Sequence, residues 1–176
     1  MKCENTEQIS PGYITGYIDS KKIVIQVYPY DGGKSQSKRP RQTNDCAVIA
    51  IALATETDYD TVYDRLKAFG RKCSQGTDKK IINKYLQINA KANYISFPAE
   101  KGKKRMNILN FCHQFQTGTF IIRVSKHVAV VKDGKLYNMD PFIDPFKCVY
   151  CAWKVDEGVK RTREEFSSQK IFGINK

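Results

Sequence analysis

No apolar run in this sequence approaches the roughly 20 residues of a membrane-spanning helix. Met1 to Glu7 lead into no apolar segment of the kind that a secretion signal carries, so no such signal is expected. Carboxylates are scarce: 18 Asp and Glu face 30 Lys and Arg, for a net charge of +12. Asp31-Gly32-Gly33-Lys34-Ser35 has the residue types of a phosphate loop without its full spacing, which excludes a nucleotide site of that kind. The cysteines are Cys3, Cys46, Cys73, Cys112, Cys148 and Cys151. Cys148 and Cys151 have the gap of half a zinc site. No second pair matches it, so two packed thiols are expected there and no metal or other cofactor is implied. A reducing, cytoplasmic setting is inferred, with free cysteines rather than a disulfide framework.

A length of 176 residues with 41% hydrophobic content is enough for a real core, and mixed helical and strand signals indicate an α+β protein. Residues 1–37 are expected to form a β hairpin or arm with a linker, and 38–176 the main domain. The densest basic clusters are Lys38-Arg39-Pro40-Arg41, Lys101 with Lys103-Lys104-Arg105, and Lys160-Arg161-Thr162-Arg163. Such a field attracts acidic protein or nucleic acid, although no nucleic-acid-binding fingerprint is present and a solvated basic surface is the simpler account.

The β-rich runs 13–18 and 23–28, separated by Asp19 to Lys22, suggest a hairpin. Thr57-Asp58 can cap a helix running to about Phe69 and ended by Gly70, and Thr77 can cap another from about Asp78 to Leu86. Tyr94 to Phe97 reads as a strand. Met106 to Phe115 reads as a short helix with Ile108, Leu109, Cys112 and Phe115 on one face. These helices are expected to pack beside the core helix described next. His113 follows Cys112 directly, and adjacent helical residues do not face each other, so a dyad there is not expected. Two strands, 119–124 and 126–131, precede Asp133-Gly134, a strong hairpin signal. A return strand, 136–140, stops at Pro141. Residues 148–155 suggest a further strand in that sheet, and 159–172 read as a charged helix or an irregular tail.

The chain is organised around Gln42-Thr43-Asn44-Asp45-Cys46 and the uncharged run from Ala47 to Thr55. Asn44 and Asp45 are suited to cap a helix, and a helix with apolar residues on every face must be buried all round. Cys46 then sits at its positive end, where free N–H groups and the helix dipole favour a thiolate. The alternative is a small buried hydrophobe. Across the Asp133-Gly134 turn, strict two-residue pairing sets Lys132 against Lys135, Val131 against Leu136 and Ala129 against Asn138, and so His127 against Asp140. Directly opposed side chains have Cβ atoms about 4.5–5.5 Å apart, which is within reach of an imidazole and a carboxylate. Asn138 is the diagonal neighbour of His127.

The order of a cysteine opening a buried helix, a histidine on a later strand and an acid or amide on the next resembles the papain-like cysteine peptidase superfamily. The local motifs Asp45-Cys46, His127 and Asp140-Pro141 are most similar to its small bacterial and phage branches, including the bacteriocin-processing type. The resemblance covers roughly residues 40–155. It implies a helical half packed on an antiparallel sheet, with Cys46 as nucleophile, His127 as base and acid, and Asp140 or Asn138 orienting His127. It also implies an oxyanion-hole side chain ahead of the cysteine. Pro40 holds the usual glutamine position, which leaves Gln42 or Asn44 as candidates. Ala47 stands where many relatives have glycine. The implied activity is cleavage of a peptide or isopeptide bond in a protein substrate. The basic surface favours an acidic substrate or partner, and the small size, compact triad and unusual charge suit a phage or viral protein acting on host proteins in the host cytoplasm. Transglutaminase-like acyl transfer and a non-catalytic binding protein on the same fold are the alternatives.

Overall fold

The structure is a computed structural model, and it describes residues 12–156. The elements in chain order are β1 (Gly12–Ile18), β2 (Lys21–Pro29), α1 (Cys46–Ala54), α2 (Tyr59–Ala68), α3 (Lys79–Ala90), β3 (Asn93–Ser96), α4 (Ile108–Gln114), β4 (Thr119–Val124), β5 (His127–Lys132), β6 (Lys135–Asn138) and β7 (Cys151–Val155). The seven strands form one mixed sheet in the order β1-β2-β6-β5-β4-β7-β3. The architecture is α+β. The possible helix or tail at 159–172 lies outside the described residues.

Local chemistry accounts for most element ends. The β1–β2 turn is Asp19-Ser20, both at positive φ, which is the geometry that continues a right-handed strand twist. It is shorter than the four residues expected. β2 also pairs in parallel with β6, so the hairpin continues the main sheet rather than standing apart as an arm. Asp58 caps α2 by accepting the Thr61 N–H. α3 is capped by Asp78, which accepts the Lys80 N–H, and not by Thr77, whose hydroxyl accepts from Arg71 Nε at 3.1 Å. A carboxylate is the stronger acceptor for an uncapped first turn.

Alternation along the strands gives each face its own core. Ile121, Val128, Val130, Cys151 and Trp153 face α1, α2 and α3. Phe120, Ile122, Val124, Ala129, Val131 and Ala152 face the other way, against Ile108, Leu109, Phe111 and Cys112 of α4. So α4 does not join the other helices beside α1, as expected from the sequence. Its stripe was legible, but the face of the sheet it would cover was not. α1 is walled by β5, α2 and the loop after β2. That loop reaches it through Gly32, at φ +70. A Cβ at Gly32 would lie 3.0 Å from Ile49 Cα, so any larger residue would push Tyr30 and its neighbours away from the helix.

Trp153 is fully buried, with its indole N–H donating to Asn83 Oδ1 at 3.0 Å. Trp153→Ala is expected to lower the unfolding free energy by about 3–5 kcal/mol. The exposed Tyr17→Ser should change it by less than about 0.5 kcal/mol. Urea denaturation checks both, and equal effects would contradict this placement of the core.

Candidate active site

Cys46 and His127 line one cleft of about 200 Å3 between α1 and the β5–β6 hairpin. Ile49, Ala50 and Leu53 are on its helix wall, Val128, Val130 and Tyr137 on its sheet wall, and Tyr30, Lys126 and Met139 also line it. The volume is below the roughly 300–1,000 Å3 of a ligand or cofactor pocket, so it suits a single side chain or a stretch of backbone.

α1 brings Cys46 there because every turn of the helix is covered. Ala47, Val48, Ala50, Ile51 and Ala52 are all buried. Asp45 precedes Cys46 but does not cap the helix with its side chain. The buried carboxylate accepts instead from Tyr59 Oη at 2.5 Å and from Lys34 Nζ at 3.1 Å, which ties the start of α1 to α2 and to the loop after β2. Burial, with the Asp45 bond, raises the Tyr59 hydroxyl well above its ordinary pKa, so it stays a donor. Asn44 does not cap α1 either. It sits at φ 54 and donates its amide to the Ser74 carbonyl at 2.9 Å, while the buried Arg71 donates to the Asn44 carbonyl at 3.3 Å. Asp45 makes no side-chain cap over the first turn, and the backbone donors of Cys46 and Ala47, with that of Val128 from β5, act to lower the Cys46 thiol pKa.

The thiolate expectation is corrected by burial. Removal of the thiol from water raises its pKa and is the largest influence on Cys46, followed by the opposing backbone donors, with the Asp45 charge also acting upward. Desolvation outweighs the backbone donors, so the Cys46 thiol pKa stands above its ordinary value.

His127 opens β5 after the Ser125-Lys126 turn, in which Lys126 adopts φ 54. Its Nε2 lies 2.6 Å from Asn138 Oδ1. Asn138 is buried, and its Nδ2 donates to the Asp140 carbonyl at 2.7 Å. That bond fixes which end of the amide meets the ring. The oxygen faces His127, so Nε2 must carry the hydrogen and Nδ1 keeps the lone pair. The ring is thereby set as a base at Nδ1.

Asp140 is not the partner of His127. The hairpin holds the expected register at Val130↔Tyr137, Val131↔Leu136 and Lys132↔Lys135, but β6 ends at Asn138. The Asp140 carboxylate then accepts the Phe142 N–H at 2.9 Å in an Asx turn across Pro141. The local turn outcompetes continuation of the strand, and Asp140 reaches Asn138 only through its carbonyl.

Gln42 does not reach the cleft. Its Oε1 accepts from Tyr63 Oη at 3.3 Å and its amide donates to the Thr43 carbonyl at 3.0 Å. Asn44 lines the cleft but is engaged with Ser74. The remaining donors for a developing oxyanion are the uncapped N–H groups at the start of α1. Lys34, Tyr59 and Tyr30 were missed in the sequence. The only local signal was the Asp31–Ser35 run, and their proximity to Cys46 is long-range. Among the described residues no group of three or more His, Cys, Asp or Glu side chains is placed to hold a metal ion. Cys151 is buried and Cys148 half-buried.

Cys73 is exposed, and its thiol pKa is lowered, first by a hydrogen bond with Tyr63 and then by Ser74 and nearby Arg71 and Lys67. Iodoacetamide at neutral pH is therefore expected to alkylate Cys73 before Cys46, with Cys46 labelling rising only above the ordinary thiol value of 9.0. Site-resolved mass spectrometry checks the order, and faster labelling at Cys46 would contradict its burial. No protein-family model, curated protein or solved structure matches this chain, so the chemistry of the cleft rests on its own geometry.

Proposed function

We propose that the chain is a papain-like thiol hydrolase that cleaves an amide bond of a polypeptide through an acyl-enzyme, with Cys46 as nucleophile, His127 as acid and base, and Asn138 as the residue that positions His127. The observation that carries this reading is the bond from Nε2 of His127 to Asn138 Oδ1, in a cleft shared with a cysteine at the uncapped start of a buried helix.

His127 Nδ1 takes the Cys46 proton as Sγ attacks the carbonyl carbon. Burial raises the thiol pKa, which favours proton transfer in concert with attack over a resting ion pair. The N–H groups at the start of α1 stabilise the negative oxygen of the tetrahedral intermediate. His127 then gives its proton to the departing amine, leaving a thioester on Cys46. Water, deprotonated by His127, attacks that thioester and releases the acid and the thiol. An amine in place of water would complete an acyl transfer by the same steps. The Asn138 amide orients the imidazolium without adding charge, which suits a buried site better than a carboxylate that would need its own partner.

A second reading, a binding protein of this architecture without turnover, is favoured by the burial that raises the Cys46 thiol pKa.

Cys46→Ala and His127→Ala are expected to reduce hydrolysis of a fluorogenic peptide panel by at least about 100-fold, the lower end of what acid–base catalysis contributes. Asn138→Ala should reduce it by a smaller factor and shift its pH profile. Asp140→Asn, which keeps the carbonyl, should leave it within about threefold of the starting rate. Turnover that survives Cys46→Ala, or an Asp140→Asn variant as impaired as Asn138→Ala, contradicts the assignment.

A further inference from the structure

The positive charge is not evenly spread. From Lys79 to Lys132 the chain carries one acidic residue, Glu100, among Lys79, Lys80, Lys84, Lys91, Lys101, Lys103, Lys104, Arg105, Arg123, Lys126 and Lys132. The fold gathers part of this run beside the cleft. Lys126 lines the cleft mouth. Arg123 lies opposite Val128 across the β4–β5 pair and opposite Cys151 across the β4–β7 pair, so it shares the face of the sheet that holds the cleft. Cys151 lies opposite Ser96 of the edge strand β3. Lys79, at the start of α3, feels the charge of Arg123 and donates to Tyr94 Oη at 2.6 Å. Beyond them, Arg105 stacks over Tyr150 at 5.1 Å, and its buried Nε has no hydrogen-bond partner. None of the ion pairs among the described residues uses Lys79, Arg105, Arg123 or Lys126.

We infer that Lys126, Arg123 and Lys79 form a track that receives an acidic segment of a polypeptide, running from the Cys46 cleft across β4 and β7 to the β3 edge. Calling that polypeptide a substrate rests on the hydrolase reading; the binding itself does not. The aromatic rings on the track argue against single-stranded nucleic acid as its occupant. Base stacking needs open ring faces, whereas Tyr94 already carries Lys79 at 4.7 Å and Tyr150 carries Arg105. What is offered outward is cationic heads without carboxylate partners among the described residues, which match Asp and Glu side chains.

The test uses the full chain carrying Cys46→Ala, so that binding is read without turnover. Three fluorescent probes are titrated by anisotropy: a peptide of alternating Glu and Ala, one of alternating Lys and Ala, and a short oligothymidine. The acidic peptide is expected to bind saturably and to weaken as salt is raised, the basic one not to bind, and the oligothymidine to bind more weakly than the acidic peptide. Lys79→Gln with Arg123→Gln should weaken the acidic peptide by about tenfold, while Lys21→Gln with Lys22→Gln, on the hairpin at the opposite end of the sheet, should leave it unchanged. Should Arg123→Gln perturb folding, judged by circular dichroism, the exposed pair Lys79→Gln with Lys126→Gln makes the same test. Equal weakening by both distant pairs, no binding of the acidic peptide, or tighter binding of oligothymidine that depends on Lys79 and Arg123 would overturn the inference. Binding of the acidic peptide to the Cys46→Ala chain, with no cleavage of any panel peptide by the chain that retains Cys46, would count against the hydrolase reading alone.

Discussion

A helix without a polar face is stable only if protein covers it on all sides, and α1 imposes that condition on the rest of the fold. β5 covers one side, α2 another, and the loop after β2 is pressed against Ile49 through Gly32. The same enclosure brings β5 and the end of β6 to the first turn of the helix, where Cys46 stands. It also removes water from the thiol. Burial thus assembles the cleft and, by the same act, raises the pKa of the Cys46 thiol.

Two polar clusters hold the ends of that apolar arrangement. On one side Asp45 is locked by Lys34 and Tyr59, so a buried charge has both a counter-ion and a hydroxyl donor. An unpaired carboxylate there would be strongly destabilising. On the other side the Asp140 carbonyl orients the Asn138 amide, which orients His127. A carbonyl, an amide and an imidazole in series transmit direction rather than charge. The ring acquires a defined tautomer without a second buried anion beside the thiol.

Most elements were legible because their signals are local. The apolar run of α1, the Asp133-Gly134 turn and Asp58 each act within a few residues, and each lies where it was expected. Cys46 and His127 were legible for the same reason: one opens the helix and the other opens a strand. What failed were inferences that needed a competition to be resolved. Counting across the hairpin put Asp140 opposite His127, yet an Asx turn ended the strand two residues earlier and left Asn138 as the partner. The helix-dipole argument favoured a thiolate, but desolvation outweighed it. Gln42 was held by Tyr63, and α4 went to the far face of the sheet, through contacts that sequence distance hides.

The claim on which the account turns is that Asn138, fixed by the Asp140 carbonyl, holds His127 as the Nε2–H tautomer with Nδ1 free to accept a proton. Nitrogen-15 NMR of the labelled imidazole, above its titration range, reads this directly. The account predicts a protonated Nε2 and an unprotonated Nδ1 in the native chain, and loss of that preference in Asn138→Ala. A native ring protonated at Nδ1, or one with the same tautomer balance in Asn138→Ala, would contradict it.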